Sequence, residues 1–272
     1  MTTASAASWL FVPAATPRRF ERAVGSGADA VILDLEDAVA VDAKDTARGD
    51  AAAWLADGGQ AWVRINAHGT PWHEEDVATL CDLPGLLGLV APKVEDPRVL
   101  GRLTARLGPG KALVALVETA RGVQGVADIA GTPRVQRLAF GSLDFALDIG
   151  AEHDDQSLLL ARSSLVLASR AAGLPPPIDG VTTTVHDADA VTADARRARV
   201  LGFGGKLCIH PAQVEPVARA FAPTNEELAW ARDVHRAAER SGGGAFLGPD
   251  GQMVDRPVID RAAAILGQAL SR

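Results

Sequence analysis

The chain has 272 residues, and its 34 acidic and 27 basic side chains give a formal net charge of −7. This length can bury a substantial core, and two cysteines, Cys81 and Cys208, exclude a disulfide framework and fit small buried side chains in a reducing compartment. No apolar run approaches the roughly 20 residues of a membrane span, and no Lys/Arg cluster interleaved with aromatic residues indicates nucleic acid binding. We therefore expect a soluble, cytoplasmic protein that binds neither membranes nor nucleic acid.

Eight short apolar runs recur along the chain, each followed by a stretch with helical periodicity. They span residues 8–13, 30–37, 61–67, 87–94, 112–119, 137–144, 177–183 and 203–210. Most are almost continuously hydrophobic, as parallel strands covered on both faces are. Eight such strands with helical crossovers predict an α/β fold, a closed (β/α)8 TIM barrel over residues 1–222. An open doubly wound sheet is the alternative, but "FVPAATP" lacks the glycine-rich turn that usually follows the first strand of such a sheet.

After residue 222 the pattern changes to a helix at 225–240, an "SGGG" linker, a hairpin with Asp250-Gly251 at its turn, and a final helix at 256–270. Thr224 and Glu227 fit a capping box at the start of the first of these helices. We expect residues 223–272 to form a short helical and hairpin extension that is too small for its own core. Its flexible tether would allow it to act as a lid over a neighbouring subunit.

Polar side chains collect at the ends of the predicted strands, where barrel enzymes assemble their sites. These residues are Glu36, Asp37, Arg64, Asn66, Lys93, Glu118, Asp144, Asp179, Lys206 and His210. Glu118 and Asp144 end strands five and six, and because neighbouring strands lie about 4.8 Å apart, the two carboxylates could meet. Like charges that close need a shared proton or a bound cation, and oxygen ligands favour Mg²⁺. The alternative is that each carboxylate caps the helix that follows it.

Two basic residues at these strand ends have more than one interpretation. Arg64 lies in a core strand, and a buried guanidinium needs an anion. That anion is either a substrate carboxylate or a protein carboxylate, Asp34 or Glu36, and the spacing leaves both open. Lys93 could contact substrate, but a surface lysine with a partly buried stem fits its position better.

Eight segments, spread over nearly the whole chain, carry a family resemblance: "LFVPAATPRRF", "VILDLEDAVA", "WVRINAHGT", "APKVED", "ALVETARGV", "FGSLDF", "GFGGKLCIHPAQ" and "GQMVDRPVIDRA". In this order and spacing, "DLEDAV", "VRIN", "ETARG" and "IHP" are jointly specific. The chain resembles the citrate lyase β-subunit-like group of the HpcH/HpaI aldolase and citrate lyase superfamily. The resemblance implies a (β/α)8 barrel, commonly a homotrimer or homohexamer, that uses Mg²⁺ to cleave or form a carbon–carbon bond in β-hydroxyacyl thioesters.

The resemblance also implies roles for individual residues. Glu118 of "ETA" and Asp144 of "SLDF" match the metal ligands, and Glu118 also lies at the substrate. Arg64 of "VRIN" matches the arginine that binds the oxo-acid carboxylate, which the backbone from Gly141 to residue 143 would also hold. Glu36 of "DLED" matches a catalytic acid near the metal-bound waters.

Two positions outside this set bear on catalysis and on coenzyme A. Asp255 of "MVDRP" matches the acid that relatives with a full C-terminal segment contribute to a neighbouring subunit's site, although its spacing also fits a cap for the final helix. Ala7 stands where many acyl-CoA-cleaving relatives have an arginine near the nucleotide. The resemblance therefore implies a catalytic role for Asp255 and does not identify the residues that bind CoA.

The implied substrate is a β-hydroxyacyl-CoA such as citryl-, citramalyl- or malyl-CoA, which is split into an oxo acid and an acyl-CoA. One alternative is a metal-dependent aldolase of free 4-hydroxy-2-oxo acids, which usually employs a histidine near the second strand. The corresponding segment here, "DLEDAVAVDAKD", contains none. The other alternative, a non-catalytic barrel, would show loss of metal ligands, and none of the matched ligands is lost.

Overall fold

A computed structural model describes residues 5–241, 245–248 and 251–270. Eight parallel strands form a closed barrel in chain order, and the eighth strand pairs with the first. The strands are β1 Ser8–Pro13, β2 Ala30–Asp34, β3 Ala61–Arg64, β4 Leu86–Ala91, β5 Ala112–Val117, β6 Val135–Phe140, β7 Ile178–Asp179 and β8 Gly205–Cys208. The predicted (β/α)8 barrel is confirmed, and the open sheet was the wrong alternative.

The helices that surround the barrel and complete the chain follow the strands in sequence. They are α1 Phe20–Val24, α2 Lys44–Ala56, α3 His73–Leu80, α4 Pro97–Arg106, α5 Ala120–Gln124, α6 Val126–Ala130, α7 Ser142–Asp148, α8 Asp155–Ala171, α9 Ala188–Leu201, α10 Val214–Phe221, α11 Asn225–Ser241 and α12 Arg256–Leu270. Short 3-10 helices span Pro17–Arg19, Val41–Ala43 and Pro211–Gln213. None of the described helices combines the length and the apolar character that a membrane crossing needs.

The barrel interior is a packed apolar core. All six residues of β5, "ALVALV", are buried, because one face of the strand points into the barrel and the other lies under the helices. The core cluster includes Trp9 and Trp62, whose rings meet edge to face with centroids 5.3 Å apart. This packing gives the strands fixed positions, and the polar side chains at their carboxyl ends inherit those positions.

Several strands end earlier than the apolar runs predict. β2 ends at Asp34 and β6 at Phe140, so that Asp144 lies in the first turn of α7 instead of on a strand. Leu35 and Ile65 are fully buried although they follow β2 and β3. Hydrophobicity therefore continues past the end of the ladder, because the first loop residues also pack on the core.

The chain separates into two compact units, Met1–Arg219 and Ala220–Arg272. In the second unit Thr224 and Glu227 form the predicted capping box, with Thr224 N donating to Glu227 Oε2 at 2.8 Å and Glu227 N donating to Thr224 Oγ1 at 3.1 Å. The strands β9 Phe246–Leu247 and β10 Met253–Val254 pair in an antiparallel arrangement. Residues 242–244 of the "SGGG" linker and Asp250 of the turn lie outside the described residues. The division into domains at 1–222 and 223–272 stays our proposal.

The second unit has a small apolar cluster of its own, so the expectation that it is too small for a core was wrong. Its buried residues are Ala231, Val234, Val254, Ala262 and Ile265. They lie on α11, β10 and α12, whose apolar faces meet. Both cysteines of the chain, which lie in the first unit, are free and buried, as predicted.

Candidate active site

A cavity of about 390 Å³ opens at the carboxyl ends of the barrel strands. Its charged and hydroxyl-bearing lining residues are Asp34, Asp37, Arg64, Glu118, Ser142 and Asp144. The remaining lining is mostly apolar and includes Phe11, Leu116 and Phe140. This is the face of the barrel where loops can vary without disturbing the core, and it is where barrel enzymes place their sites.

Arg64 and Asp34 form a bidentate ion pair at the ends of adjacent strands. The two residues are direct partners in the β2–β3 register, so their side chains emerge side by side. Arg64 Nε donates to Asp34 Oδ1 at 2.7 Å and Nη2 donates to Oδ2 at 2.6 Å, while the guanidinium stacks 4.7 Å from the centroid of the Phe11 ring. Burial disfavours the charged guanidinium, but attraction to Asp34 outweighs it and raises the pKa of Arg64. The structural ion pair is therefore present, and Arg64 also lines the cavity.

Glu36 adds a second carboxylate to the same guanidinium. Arg64 Nη1 lies 2.9 Å from Glu36 Oε2, and Lys93 Nζ hydrogen bonds to Glu36 Oε1. The Glu36 side chain is 6% exposed. Burial raises the pKa of Glu36 and outweighs the opposing attraction of Arg64 and Lys93. Glu36 therefore retains a proton more readily than an ordinary glutamate while it connects two cations.

The loop that carries Glu36 is fixed by a buried ammonium group. Lys44 Nζ donates to Leu35 O, Glu36 O and Asn66 Oδ1, each at 2.7 Å. The three N–H donors of an ammonium are thereby all used. Because Lys44 connects the loop after β2 to the loop after β3, it holds Glu36 next to Arg64. Sequence reasoning missed Lys44, which lies in a polar, helix-like segment that resembles a solvated helix face.

Glu118 follows β5 directly and is 1% exposed. Its Oε1 accepts a hydrogen bond from the backbone N–H of Lys93 at 2.7 Å. Burial raises the pKa of Glu118 well above its usual value, and the nearby carboxylates of Glu36 and Asp144 raise it further. Glu118 does not cap the following helix, because Thr119 Oγ1 has that role and accepts from Gly122 N at 3.0 Å.

Gly141 makes room for the Glu118 carboxylate. A Cβ atom at this position would lie 2.2 Å from Glu118 Oε2 and 2.5 Å from Glu118 Cβ, so no larger residue fits. Its N–H donates to Val117 O at 3.0 Å and is not available for a substrate. The predicted backbone cradle for a carboxylate therefore reduces to the N–H groups of Ser142 and Leu143, at the start of α7, where helix geometry leaves such donors without intrahelical partners.

Lys93 is exposed, as the interpretation of a surface lysine expects, but its side chain also pairs with the buried Glu36. Its ammonium hydrogen bonds to Glu36 and lies 3.5 Å from Asp37 Oδ2, and its backbone N–H binds Glu118. Lys93 also has φ of +50°, a left-handed conformation that is uncommon for a residue with a side chain. The sequence did contain a signal for this role of Lys93, namely the number of carboxylates predicted at neighbouring strand ends. Acidic side chains that lie so close together require a cation.

The other polar residues at strand ends have structural contacts. Asp179 pairs with Arg162 Nε at 3.0 Å and lies 3.6 Å from Lys206 Nζ, and His210 Nδ1 accepts from Ala212 N at 3.1 Å. These side chains are therefore satisfied within the barrel.

Asp255 directly precedes α12, the last helix of the second unit. Its Oδ1 accepts from Val258 N at 3.4 Å, and its carbonyl accepts from Ile259 N at 3.1 Å. Asp255 is therefore the N-cap that its spacing indicates, and its side chain is half-buried.

Fold and site together define a (β/α)8 barrel with a buried cluster of acids beside an arginine and a lysine at its carboxyl end. Residues 7–211 match the family model described as HpcH/HpaI aldolase/citrate lyase. The chain belongs to this family.

Individual relatives cover almost the whole chain. A citrate lyase subunit beta-like protein of Deinococcus radiodurans is 37% identical over 95% of both chains. A (3S)-malyl-CoA thioesterase of Cereibacter sphaeroides is 35% identical over 96% of this chain and 94% of its own. The crystal structure of CitE from Mycobacterium tuberculosis in complex with magnesium, acetoacetate and coenzyme A is 36% identical over 98% of both chains, with a TM-score of 0.85.

We predict that Glu118→Gln stabilises the protein at neutral pH in the presence of EDTA. Folding raises the pKa of Glu118, because the ionised carboxylate is less favourable in the folded chain than in the unfolded chain. This carboxylate therefore lowers the stability of the folded chain at any pH above the pKa that Glu118 has in the unfolded chain. The amide keeps an oxygen for Lys93 N and removes the charge. Urea unfolding should show a gain of about 1 to 2 kcal/mol that disappears below about pH 4, where the unfolded carboxyl is protonated.

Glu152→Gln, on an exposed residue, serves as the control and should leave the unfolding free energy unchanged. Addition of Mg²⁺ should stabilise the wild type more than Glu118→Gln, since a ligand stabilises only the state that binds it. A Glu118→Gln protein that is less stable than the wild type in EDTA at neutral pH would contradict the prediction.

Proposed function

We propose that this chain is a Mg²⁺-dependent carbon–carbon lyase, which cleaves a β-hydroxyacyl-CoA into an oxo acid and an acyl-CoA or forms it by Claisen condensation. The observation that carries this proposal is the buried Glu118 carboxylate, which lines one cavity together with Asp144 and Arg64 and lies near Glu36. Family membership and the relatives named for citrate lyase and malyl-CoA support the same chemistry.

Glu118 and Asp144 would hold the Mg²⁺ ion. A carboxylate that is 1% exposed and raised in pKa by neighbouring acids is stabilised by a divalent cation, and Mg²⁺ takes one or two protein carboxylates and completes its shell with water or substrate. The donor set therefore fits this ion. When bound, the metal would supply Lewis-acid polarisation of the substrate hydroxyl and of the product keto oxygen.

Arg64 would bind the carboxylate of the oxo-acid portion. Two of its five N–H donors bind Asp34, and Nη1 lies 2.9 Å from Glu36 Oε2 without forming a hydrogen bond, which leaves three donors for a ligand. Because both partners and the Phe11 ring fix the guanidinium, little side-chain entropy is lost when a substrate binds. Glu36 and Lys93 would keep this arrangement in place, and the raised pKa of Glu36 suits it to hold or pass a proton close to the cleaved bond.

The charges of the cavity favour an oxo acid with a single carboxylate. Among the described residues that line it, Arg64 is the one cation, and Asp34, Asp37, Glu118 and Asp144 are acids. A second substrate carboxylate would meet either these acids or the apolar wall. We therefore propose malyl- or citramalyl-CoA, which release glyoxylate or pyruvate, in preference to citryl-CoA.

The test is a panel of malyl-, citramalyl- and citryl-CoA with purified protein in Mg²⁺ or in EDTA. We expect release of an oxo acid and an acyl-CoA in Mg²⁺ only, with the lowest kcat/KM for citryl-CoA. Asp144→Ala should lose the activity. Full activity in EDTA would contradict the metal dependence, and cleavage of free 4-hydroxy-2-oxo acids without any CoA ester would favour the aldolase.

We predict that Arg64→Lys lowers kcat/KM by about 10- to 100-fold, because an ammonium cannot reproduce a bidentate fork to a carboxylate. Steady-state kinetics with the best CoA ester measures the effect. Arg98→Lys is the matched control, since Arg98 also forms a bidentate pair, with Asp96, but on the protein surface. Equal kinetics for Arg64→Lys and wild type would restrict Arg64 to a structural role.

We further propose that Asp255 reaches the active site of a neighbouring subunit and transfers a proton there, which requires a homo-oligomer such as a trimer or hexamer. The N-cap bond to Val258 N, at 3.4 Å, is long, and a carboxylate can cap a helix and still accept other partners. A cytoplasmic location is part of the same proposal, because two buried free cysteines and a CoA ester suit a reducing compartment.

Mixing two inactive proteins, Asp255→Ala and Glu118→Ala, under conditions of subunit exchange tests this role. A mixed oligomer combines an intact barrel from one chain with an intact Asp255 from the other, so part of the activity should return. A mixture of Asp144→Ala and Glu118→Ala should stay inactive, since both changes damage the barrel cavity. Proven exchange without recovery in the first mixture would show that Asp255 does not act between chains.

A further inference from the structure

Two imidazoles and a carboxylate come together outside the active-site cavity. His68 lies on the loop after β3, and His73 and Glu74 are the first two residues of α3. One possible ligand atom from each residue lies within 4.8 Å of those of the other two. The two histidine rings meet edge to face with centroids 5.1 Å apart. His73 is buried, whereas His68 and Glu74 are exposed.

The His73 ring is oriented as metal-ligating histidines are. Its Nδ1 lies 2.9 Å from the backbone oxygen of Asn66. Because a carbonyl can only accept, Nδ1 carries the proton, and Nε2 presents its lone pair. Asn66 is itself fixed by Asp76, whose Oδ2 accepts from Asn66 N at 2.8 Å and from Nδ2 at 2.7 Å. Such outer contacts set the tautomer and direction of a ligating imidazole.

The loop geometry brings His68 back toward this ring. Gly69 has φ of +88°, a left-handed conformation that reverses the chain, and both the N–H and the hydroxyl of Thr70 donate to Ala67 O, at 3.1 and 2.7 Å. The turn therefore returns to the start of α3 within a few residues. The backbone conformation of this turn, and not only the choice of side-chain rotamers, therefore brings His68 and His73 together.

We propose that His68, His73 and Glu74 form a binding site for a divalent transition metal of the Zn²⁺ class, separate from the magnesium site. Two imidazole nitrogens and one carboxylate are a common ligand set for zinc, and they leave one coordination position for water. Mg²⁺ prefers oxygen ligands, so the ion proposed for the Glu118 site is not expected to compete here.

Nearby arginines limit the strength of this site. Arg106 Nη1 donates to Glu74 Oε2 at 2.9 Å, and Arg102 and Arg106 line the same hollow as the two histidines. A carboxylate has about four lone-pair positions, so Glu74 can accept from Arg106 and still bind a metal. The positive charges nevertheless lower the affinity for a cation. We therefore expect weaker binding than in a structural zinc site enclosed by cysteines.

Metal binding would join the loop after β3 to the start of α3. This loop directly follows Arg64, and through Asn66 it is also connected to Lys44. A metal ion that binds only the folded loop stabilises the folded loop. The stabilisation grows with the logarithm of the ratio of the metal concentration to the dissociation constant of the site. The site would therefore make the stability of the segment next to Arg64 dependent on the available transition metal.

The experiment uses tag-free, metal-stripped full-length protein in excess Mg²⁺, with Co²⁺ as the spectroscopic probe and Zn²⁺ as the competitor. We expect intense visible d–d bands of low-coordinate Co²⁺ at one ion per chain, and loss of these bands on addition of Zn²⁺. His68→Ala and His73→Ala should each weaken binding by more than about tenfold, measured by calorimetry. Glu118→Ala should keep both the bands and the affinity.

His235→Ala is the matched control, because His235 is an exposed histidine whose Nε2 lies 3.7 Å from Glu239 Oε1 but which belongs to no group of three possible ligands among the described residues. His68 is exposed, so its variant tests the site even if His73→Ala fails to fold. Unchanged binding in His68→Ala, loss of binding in Glu118→Ala, or no Co²⁺ bands in the wild type would each overturn the proposal. None of these readouts depends on lyase activity.

Discussion

The burial of the Glu118 carboxylate is the constraint on which the rest of the site depends. Glu118 is 1% exposed to solvent, and the neighbouring carboxylates of Glu36 and Asp144 make its ionised form still less favourable. The structure compensates by directing the N–H of Lys93 at the carboxylate and by leaving Gly141 without a side chain beside it. In our proposal, a divalent cation bound at Glu118 would offset the cost of ionising this carboxylate.

The side chains of Arg64 and Lys93 balance the negative charge of the acids at this end of the barrel. Arg64 is shared between Asp34 and Glu36, and Lys93 pairs with Glu36, so one chain of ion pairs runs through the ends of β2 and β3 and the loop after β4. Because breaking a buried pair leaves an unpaired charge, each member holds the others in position. This arrangement fixes the direction of the Arg64 guanidinium, as the carboxylate-binding role that we propose for it requires.

The loops around the site are themselves fixed by polar contacts. Lys44 joins the loops after β2 and β3. Asp76, which lies on α3, binds both Asn66 and Arg48. The backbone of Asn66 in turn orients His73, so the proposed zinc site and the active site share one support. Most polar atoms of this buried network have partners, although Glu36 Oε2 and Arg48 Nη2 form no hydrogen bond with the described residues.

The sequence alone determined the closed barrel and predicted that Arg64, Glu118 and Asp144 gather at its carboxyl end, because continuous apolar runs alternate with helical patterns and acids recur where strands end. It could not place the strand ends, since Leu35 and Ile65 pack on the core after the ladder stops. Only the tertiary structure decided that Asp34 pairs with Arg64, that Lys93 binds both Glu36 and Glu118, and that the second unit has its own core. These contacts join residues up to 57 positions apart. Their partners are selected by strand register and loop conformation, which are properties of the folded chain and not of any local pattern.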